Sequence, residues 1–446
     1  MKVLVLSSSP WAESNSFGST YSNIFGGIEG LELANIYCKP GTPDNGIVLR
    51  YFQLTELSLI RNLLNRAVPP GRSFDSSDVR CRDDLSSGAS VTRQELPAYR
   101  FARARRLQVF FWARDLIWRI GRWRSDELKA FIDDFAPDVL FQPIYHSSYL
   151  SDIALFIQKR ADAPMVGYVS DDVYTLCQFS LSPLYWIDRL LKRRKVRRVI
   201  DRCELLFVVS DVQKFEYERL FKPRCEVLTK CSDFDTQPPF VNVVADREHN
   251  RRPLKLLYAG NIGAGRWRTL GLLVAAIGRV NDGGGRLHLT IHTATPITRA
   301  MRRALDAPGS SELMESVSST EVINLQRAAD VLVHVEGFDL RSRLQVRQSF
   351  STKLVDCFAS GRCVLAVGPE DVASIEYLRR NDAALVASSP KQLDQLLLDI
   401  FTKEGMIEEY ALKGWATGRR NHNRSDVQRR LVSELESVMS ASGQNQ

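Results

Sequence analysis

Short apolar runs alternate along the chain with longer segments in which apolar residues recur at helical spacing. The runs are rich in Val, Leu and Ile and lack polar alternation, which is typical of strands covered on both faces of a sheet. Strands that alternate with helices predict parallel sheets joined by crossover helices. The predicted strands are residues 2–6, 138–141, 164–169, 205–209, 226–229, 254–259, 287–291, 331–335, 364–367 and 384–386.

A polar segment with little periodicity, residues 236–253, interrupts this alternation and contains a Pro-Pro pair. We interpret it as a linker, because 446 residues exceed what one ordinary core holds. The predicted domains are residues 1–235 and 254–425, followed by a C-terminal helix and tail at 426–446. Each domain is predicted to be a doubly wound, Rossmann-like α/β fold. A cleft between them is expected to hold the ligands, which bind at the carboxyl ends of strands in such sheets.

A polar loop, a short helix, a glycine and a buried strand follow one another over residues 349–368. Ser351 or Thr352 is expected to cap the helix, because its side-chain oxygen can accept a free N–H group of the first turn. Such N–H groups and the helix dipole also attract an anion, typically phosphate. Lys353 and Asp356 lie one turn apart and are expected to face the bound ligand. A solvated lysine and an ordinary surface carboxylate are the alternative interpretations.

A second segment of small residues, 260–268, follows the predicted strand 254–259 and is interpreted as a glycine-rich basic loop. A guanidinium in such a loop can bind two phosphate oxygens and stabilise a leaving diphosphate, which makes Arg266 a candidate phosphate ligand. The alternatives are that Arg266 is an ordinary surface residue and that the glycines only form turns. A glycine cluster alone is weak evidence of a site.

The composition favours anionic partners and disfavours several kinds of site. The formal net charge is +8 and the pI is near 9.1, so a nucleotide, a phospholipid surface or a nucleic acid would be complementary. The eight cysteines form no C-x-x-C pair, which argues for a reducing cytoplasm and against a zinc site or a disulfide framework. No apolar run reaches about 18 residues, so no transmembrane helix is expected.

Two further segments lack the pattern of a defined site or element. Asp171 and Asp172 follow the predicted strand 164–169, but adjacent acids also commonly cap a loop, and no metal site is predicted. Residues 69–97 are rich in Ser, Asp, Arg and Gly and lack periodicity. They are interpreted as a loop or an insertion.

Residues 100–124 and 185–198 interleave basic side chains with aromatic and aliphatic ones. They can form a solvated helix face, an interfacial surface that meets anionic headgroups, or a nucleic-acid-binding surface. We favour the membrane surface, because Trp and Phe suit the apolar boundary and Arg suits the headgroups. No nucleic-acid partner is expected.

Polar residues around the 349–368 segment also have a family parallel. Gln348 and Asp356 are separated by seven residues and are followed by Gly361 and an apolar strand. This order resembles that of GT-B glycosyltransferases, specifically glycosyltransferase family 4, in which two Glu residues have this spacing. The resemblance is clearest over residues 255–397. It implies that Asp356 binds the ribose of a sugar nucleotide and that Gln348 contacts the donor sugar.

The 260–268 segment fits the same resemblance. Family members carry a strand, a Gly, an Arg and then a Lys, and the two bases hold the donor diphosphate. Here Gly260 is in place, Asn261 replaces the Arg and Arg266 takes the Lys position. Arg268 is a candidate substitute for the missing charge. Residues 329–336 likewise resemble the Ala-Asp-Val strand that precedes the sugar-binding loop of the family.

The first half matches the family more diffusely. Asp172 falls where many relatives have a His-Asp pair near the donor sugar, which implies contact with a sugar hydroxyl. Gly18 falls where a Gly-rich loop approaches the phosphate and the acceptor. The resemblance thus implies catalytic roles for Arg266, Asp172 and Gln348. The implied donor-binding residues are Gly18, Gly260, Asn261, Arg268, Ser351, Thr352, Lys353 and Asp356.

The activity implied by the resemblance is retaining transfer of a sugar from a nucleotide-sugar donor to a hydroxyl of a glycan or lipid-linked glycan. No metal or other cofactor is expected, and the implied setting is surface polysaccharide assembly in the cytoplasm, at the inner face of the cell membrane. Alternatives are a nucleotide-sugar epimerase of the same fold and a non-catalytic protein that binds nucleotide sugars or glycans. A Rossmann oxidoreductase is disfavoured, because neither half has a clean G-x-G-x-x-G after its first strand.

Overall fold

The computed structural model describes residues 1–78, 108–239 and 252–443. The chain divides into two compact units. The first unit comprises Met1–Thr175, Ser180–Leu228 and Gln428–Gln446, and the second comprises Leu176–Phe179 and Thr229–Val427. The predicted domain boundaries differ from these units at 176–179 and 229–235, which group with the second unit, and at 428–446, which groups with the first. Within the predicted linker, residues 240–251 lie outside the described residues.

The first unit is built on one sheet. Its strands are β1 (Lys2–Ser7), β2 (Glu32–Tyr37), β3 (Arg50–Leu54), β4 (Gly71–Asp75), β5 (Val139–Pro143), β6 (Met165–Val169), β7 (Cys203–Val208) and β8 (Arg224–Val227). They lie in the order β4-β3-β2-β1-β5-β6-β7-β8, and only β4 is antiparallel to its neighbour. Its described helices are α1 (Ser16–Phe25), α2 (Glu56–Leu64), α3 (Gln108–Ile120), α4 (Asp126–Phe135), α5 (Ser148–Ala161), α6 (Pro183–Ile200) and α7 (Asp211–Leu220).

The second unit repeats this plan with a fully parallel sheet. Its strands are β9 (Leu254–Ala259), β10 (Leu287–Thr293), β11 (Ser311–Glu315), β12 (Val331–Val335), β13 (Cys363–Val367) and β14 (Leu385–Ala387). The sheet order is β11-β10-β9-β12-β13-β14. Its helices are α8 (Arg266–Asp282), α9 (Arg299–Leu305), α10 (Ser319–Ala328), α11 (Leu340–Val346), α12 (Lys353–Ala359), α13 (Ala373–Arg380), α14 (Pro390–Thr402) and α15 (Met406–His422).

The last helix, α16 (Arg424–Gly443), lies almost wholly among residues grouped with the first unit. There the side-chain amide of Gln428 donates to the carbonyl of Gly26 at 2.8 Å. Leu431 and Leu435 are buried along the same face of the helix. None of the described helices is both long enough and apolar enough to cross a membrane.

Both sheets reverse their strand order once, between β1 and β5 in the first unit and between β9 and β12 in the second. At such a reversal the following loops leave on opposite sides of the sheet and open a crevice at the carboxyl ends of the strands. The strands are held there by apolar packing, since β12 and β13 are buried along their whole length. Helix α8 packs Leu270, Leu273 and Ile277 into the same core without exposure.

The predicted fold class is confirmed: each unit is a doubly wound, Rossmann-like α/β sheet. Each predicted strand corresponds to an observed one. Four strands, β2, β3, β4 and β11, were not predicted. Strand β4 falls inside the predicted loop 69–97, of which residues 79–97 lie outside the described residues.

Two local predictions in the second unit are wrong. The glycine-rich loop ends early, because α8 already begins at Arg266. No side chain caps α12, although Ser351 or Thr352 was expected to do so. Thr352 has helical backbone angles of φ −59° and ψ −21°, whereas a capping side chain turns back onto the helix from an extended backbone. The first turn is closed instead by backbone bonds, such as Leu354 N–H to the Ser351 carbonyl at 3.0 Å.

Candidate functional site

The carboxyl ends of β9 and β12 lie side by side at the strand-order reversal of the second unit. Strand β9 leads through Gly260 into α8, and β12 leads into Glu336. Helix α8 has 17 residues and begins after Gly265, whose φ of 75° suits glycine, and no side chain caps it. Its first N–H groups, those of Arg266, Trp267 and Arg268, donate to loop carbonyls at 3.2, 3.0 and 3.0 Å. The helix start therefore offers the positive end of its dipole to an anion.

Arg266, the first residue of α8, is held by a buried carboxylate. Its Nε donates to Glu336 Oε2 at 3.0 Å and its Nη2 donates to Oε1 at 3.2 Å. Glu336 is only 2% exposed, and burial raises the pKa of its carboxyl, while the charge of Arg266 opposes that rise. The bidentate pair fixes the plane of the guanidinium. The two bonds use Nε and Nη2, so the Nη1 hydrogens are left to meet a ligand.

His334 lies beside this pair, on β12 and two residues before Glu336. Its Nε2 is 3.5 Å from Glu336 Oε1. Burial and the nearby positive charge of Arg266 lower the pKa of His334 to about 3. The imidazole is therefore neutral near pH 7, and it adds no charge to the site.

Lys353, the first residue of α12, brings a second cation to the same edge. Its ammonium donates to the carbonyl of Ala259 at 3.0 Å. A Cβ atom on Gly260 would lie 1.6 Å from Lys353 Nζ, so only glycine leaves room for the ammonium there. Partial loss of water around this ammonium, together with the charge of Arg266, lowers the pKa of Lys353. Two cations held this close together favour an anionic ligand between them.

Asp356 lies one turn further along α12 and is paired with a lysine that follows β8. The ammonium of Lys230 donates to Asp356 Oδ1 at 2.6 Å and to Oδ2 at 2.8 Å. The carboxylate is 33% exposed and the lysine 21% exposed. Asp356 thus keeps a surface that hydroxyl groups can reach, while Lys230 fixes its orientation.

The other predicted donor-binding residues of the second unit lie in varied surroundings. Asn261 is exposed, and its side-chain oxygen accepts the N–H of Gly263 at 2.6 Å. The Arg268 side chain is 64% exposed and stacks over its neighbour Trp267. The Ser351 N–H donates to Ser374 Oγ at 3.0 Å. Gln348 is buried, with 1% exposure. Its predicted contact with a donor sugar stays a prediction.

Asp172 in the first unit is engaged by its own loop and by α6. One carboxylate oxygen accepts the N–H groups of Tyr174 and Thr175 at 3.1 and 2.8 Å, and the other accepts the Thr175 hydroxyl. Arg189 Nη2 lies 3.3 Å from Oδ1, and both side chains are almost fully buried. This geometry is that of a loop cap closed by a buried ion pair. Contact between Asp172 and a sugar stays a prediction.

Gly18 lies in the first turn of α1. Its N–H donates to Asn15 Oδ1 at 2.8 Å, the side-chain cap of that helix. A Cβ atom on Gly18 would lie 2.0 Å from the carbonyl oxygen of Ala12. Glycine is therefore required for this close backbone approach, and its role toward a phosphate stays a prediction.

Glu336 and Lys230 are site residues that the sequence did not single out. Glu336 had a usable signal, because a carboxylate directly after a buried strand at a reversal point faces the ligand crevice. Lys230 had no such signal in the sequence, since a single lysine after an edge strand is common. Among the described residues, no group of three or more His, Cys, Asp or Glu side chains is arranged to hold a metal ion.

Solved structures resemble the chain over nearly its full length. Sucrose-phosphate synthase from Thermosynechococcus elongatus matches with a TM-score of 0.60 at 10% identity, covering 99% of this chain and 100% of that chain. The structure of HepE from Anabaena in complex with UDP matches with a TM-score of 0.60 at 10% identity, covering 98% of this chain and 100% of that chain. The trehalose 6-phosphate synthase of Burkholderia multivorans matches with a TM-score of 0.57 at 10% identity, covering 100% of this chain and 98% of that chain.

These proteins are GT-B glycosyltransferases, with two Rossmann-like domains. The chain has the GT-B fold. No family model matches its sequence, and no curated protein does so either. At this low identity the structural likeness shows the fold alone. The activity of the chain depends on the residues of its site.

Proposed function

We propose that the chain is a retaining glycosyltransferase that moves a sugar from a nucleotide-sugar donor to a hydroxyl of a glycan or lipid-linked glycan. One observation carries the proposal: Arg266 and Lys353 converge at the N-terminus of α8, at the strand-order reversal of the second sheet. Two cations beside the positive end of a helix dipole suit the diphosphate of such a donor. The UDP and UDP-glucose complexes of Anabaena HepE, which has the same fold, support a nucleotide sugar.

The chemistry of transfer explains why the cations matter. When the bond from the anomeric carbon to the diphosphate oxygen breaks, positive charge develops on the carbon and negative charge on the diphosphate. Arg266 and Lys353 would stabilise that negative charge, which is larger in the transition state than in the bound donor. Glu336 would hold the guanidinium in place beforehand, so that little reorganisation is needed during the reaction. The diphosphate would be neutralised by these side chains and by the helix N-terminus, without a metal ion.

The remaining roles follow from the positions of the carboxylates and amides. Asp356, oriented by Lys230, would accept hydrogen bonds from the ribose hydroxyls. Gln348 would orient the donor sugar. No general base is assigned, because in retaining transfer the leaving phosphate would accept the proton of the acceptor hydroxyl on the same face of the sugar.

A panel of nucleotide sugars incubated with the purified full chain tests this function. We expect one donor to be consumed, slowly by hydrolysis and faster when a hydroxyl acceptor is present. NMR of the product is expected to show the same anomeric configuration as the donor. Conversion of the donor into an isomeric nucleotide sugar would instead indicate an epimerase. Binding of nucleotide sugars without turnover of any of them would indicate a non-catalytic protein, and either result would contradict the proposal.

We further propose that the first unit docks on an anionic membrane surface, where a lipid-linked acceptor would be found. Helix α6 exposes Leu184, Ile187 and Leu191, at 43%, 48% and 56% exposure, at spacings of three and four residues. Arg194 and Arg198 are exposed further along the same helix. Apolar side chains with neighbouring arginines suit the boundary between acyl chains and anionic headgroups.

Replacing Leu184 and Leu191 by glutamate is expected to abolish co-sedimentation with phosphatidylglycerol-rich vesicles. Each leucine that enters the membrane contributes about 1.5–3 kcal/mol, so the double change is expected to weaken binding by about 100-fold or more. The matched control is Leu398→Glu with Leu412→Glu, two leucines of similar exposure in the second unit. Equal sedimentation of both double variants, or no salt-sensitive sedimentation of the unaltered chain, would contradict membrane docking.

A further inference from the structure

A buried histidine that the proposed mechanism does not use packs beside helix α12 of the second unit. His422 is the last residue of α15 and is 3% exposed. Its Nδ1 lies 2.9 Å from the Thr229 hydroxyl, and its Nε2 lies 2.9 Å from the Tyr377 hydroxyl. Because both ring nitrogens have a hydrogen-bond partner, the imidazole is held in one orientation.

The neighbouring Asn421 makes this arrangement a continuous chain of hydrogen bonds. Its side-chain amide donates to the Tyr377 oxygen at 2.8 Å. The hydroxyl proton of Tyr377 can then be donated to His422 Nε2, and the Nδ1–H can donate to Thr229. A neutral imidazole satisfies both contacts in this way. The chain of bonds thus connects α13, which carries Tyr377, with Thr229, which follows β8 and belongs to the second unit.

Aromatic packing connects His422 to α12 and to the loop before it. The rings of Phe350 and Phe358 lie within 25° of parallel to the imidazole, at centroid distances of 5.5 and 6.3 Å. Phe358 belongs to α12 and is fully buried. A Cβ atom on Gly418, one turn earlier on α15, would lie 2.7 Å from Phe358 Cβ, so the two helices approach closely. A close-packed contact of this kind transmits a displacement of His422 to α12.

A second connection runs along the chain from Thr229. The next residue, Lys230, donates to both carboxylate oxygens of Asp356, at 2.6 and 2.8 Å. Asp356 lies on α12, two residues before Phe358. His422 therefore contacts both the segment that carries Lys230 and the helix that carries Asp356.

We propose that His422 is a positioning residue for the donor nucleotide. Its bond to Thr229 holds the segment of Lys230, and its packing on Phe358 holds α12. The carboxylate of Asp356 is then already oriented when a ribose arrives, and such preorganisation lowers the entropic cost of binding. This inference rests on the proposed donor site and extends it to a side chain that acts only through others.

Replacing His422 by phenylalanine keeps an aromatic ring in the cluster and removes both hydrogen bonds. The test is calorimetric titration of the full chain with UDP, GDP and ADP. We expect the nucleotide that the unaltered chain binds to bind about tenfold or more weakly to His422→Phe. Thr229→Val, which keeps the shape of the side chain and removes only the bond to Nδ1, is expected to weaken binding in the same direction. It keeps the test available if His422→Phe does not fold.

Ser311→Ala is the matched control for a loss of stability alone. Ser311 is also 3% exposed, and its hydroxyl donates to the Leu305 carbonyl at 2.8 Å and accepts the Ala307 N–H at 3.2 Å. It lies on β11, at the edge of the sheet opposite β14. We expect this variant to unfold at a lower urea concentration and to keep its affinity for the nucleotide.

Hydrogen exchange of the nucleotide-free chain, measured by mass spectrometry, provides a readout that needs no ligand. Peptides that cover residues 353–359 are expected to exchange faster in His422→Phe and Thr229→Val than in Ser311→Ala. Unchanged exchange there, unchanged affinity in His422→Phe, or an equal loss of affinity in Ser311→Ala would overturn this inference alone. Failure of the unaltered chain to bind any of the three nucleotides would refute the proposed donor site and the inference with it.

Discussion

Replacing Arg266 by alanine is expected to lower kcat/KM for sugar transfer by about 100-fold or more. Removing one preorganised group that stabilises developing charge typically has an effect of this size. Arg266 is suited to that role because Glu336 fixes two of its nitrogens at 3.0 and 3.2 Å and leaves the third for a ligand. The loss is expected in kcat as well as in donor affinity, because the diphosphate charge grows as the bond breaks.

The measurement is steady-state transfer with the active donor, with Arg279→Ala as the matched control. Arg279 lies on the same helix, is 56% exposed and pairs with Asp394 at the surface, so the control is expected to be nearly as active as the unaltered chain. The double variant Arg266→Ala with Glu336→Gln removes the carboxylate charge that alanine would leave buried. It is expected to recover stability but not activity. Recovery of activity in the double variant would show that Arg266 serves only to neutralise Glu336.

The second large effect is expected at Asp172, and it is an effect on stability. Asp172→Ala is expected to lower the free energy of unfolding of the first unit by about 3 kcal/mol or more, because breaking a buried ion pair leaves its partner uncompensated. The side chains of Asp172 and Arg189 are 2% and 6% exposed. The same change also removes the acceptor of two backbone N–H groups in the loop.

Urea unfolding measures this loss, with Asp133→Ala as the comparison. Asp133 also pairs with an arginine, Arg160, but both side chains are largely exposed, so the unfolding midpoint is expected to change little. If Asp172→Ala abolished transfer without lowering stability, the carboxylate would act on a substrate, as the family resemblance implies, and its role as a loop cap would be refuted.

Strands formed by a mostly apolar run were predicted from the sequence, whereas the four strands with more polar residues were not. Strands β9 and β12 were predicted to the residue, because apolar residues occupy all but one position of each. Strand β11 is largely exposed and reads Ser-Glu-Leu-Met-Glu, so it has no apolar run. Strand β2 is buried but contains Asn35, whose amide donates to the Val5 carbonyl and the Ser7 hydroxyl on the neighbouring strand. That compensation depends on the pairing of two distant segments, which a local pattern does not report.

Some residues of the candidate site were likewise predicted from the sequence and others were not. Arg266, Lys353 and Asp356 were predicted, because glycines and helix starts mark them locally. Their partners were not, since Glu336 is 70 residues from Arg266 and Lys230 is 126 residues from Asp356. The predicted side-chain cap at Thr352 is wrong for a local reason. Its residue type suits a cap, but Thr352 itself has helical backbone angles, and residue type alone does not specify those angles.

Thermal unfolding in the presence of nucleoside diphosphates tests most directly whether the second unit holds a diphosphate between Arg266 and Lys353. At a concentration 100 times its Kd, a ligand stabilises the folded chain by about 2.7 kcal/mol. We predict that at least one of UDP, GDP and ADP raises the Tm of the unaltered chain, and that Arg266→Ala loses most of this increase while Arg279→Ala keeps it. No increase with any of the three nucleotides, or an equal increase in Arg266→Ala, would contradict the proposed site.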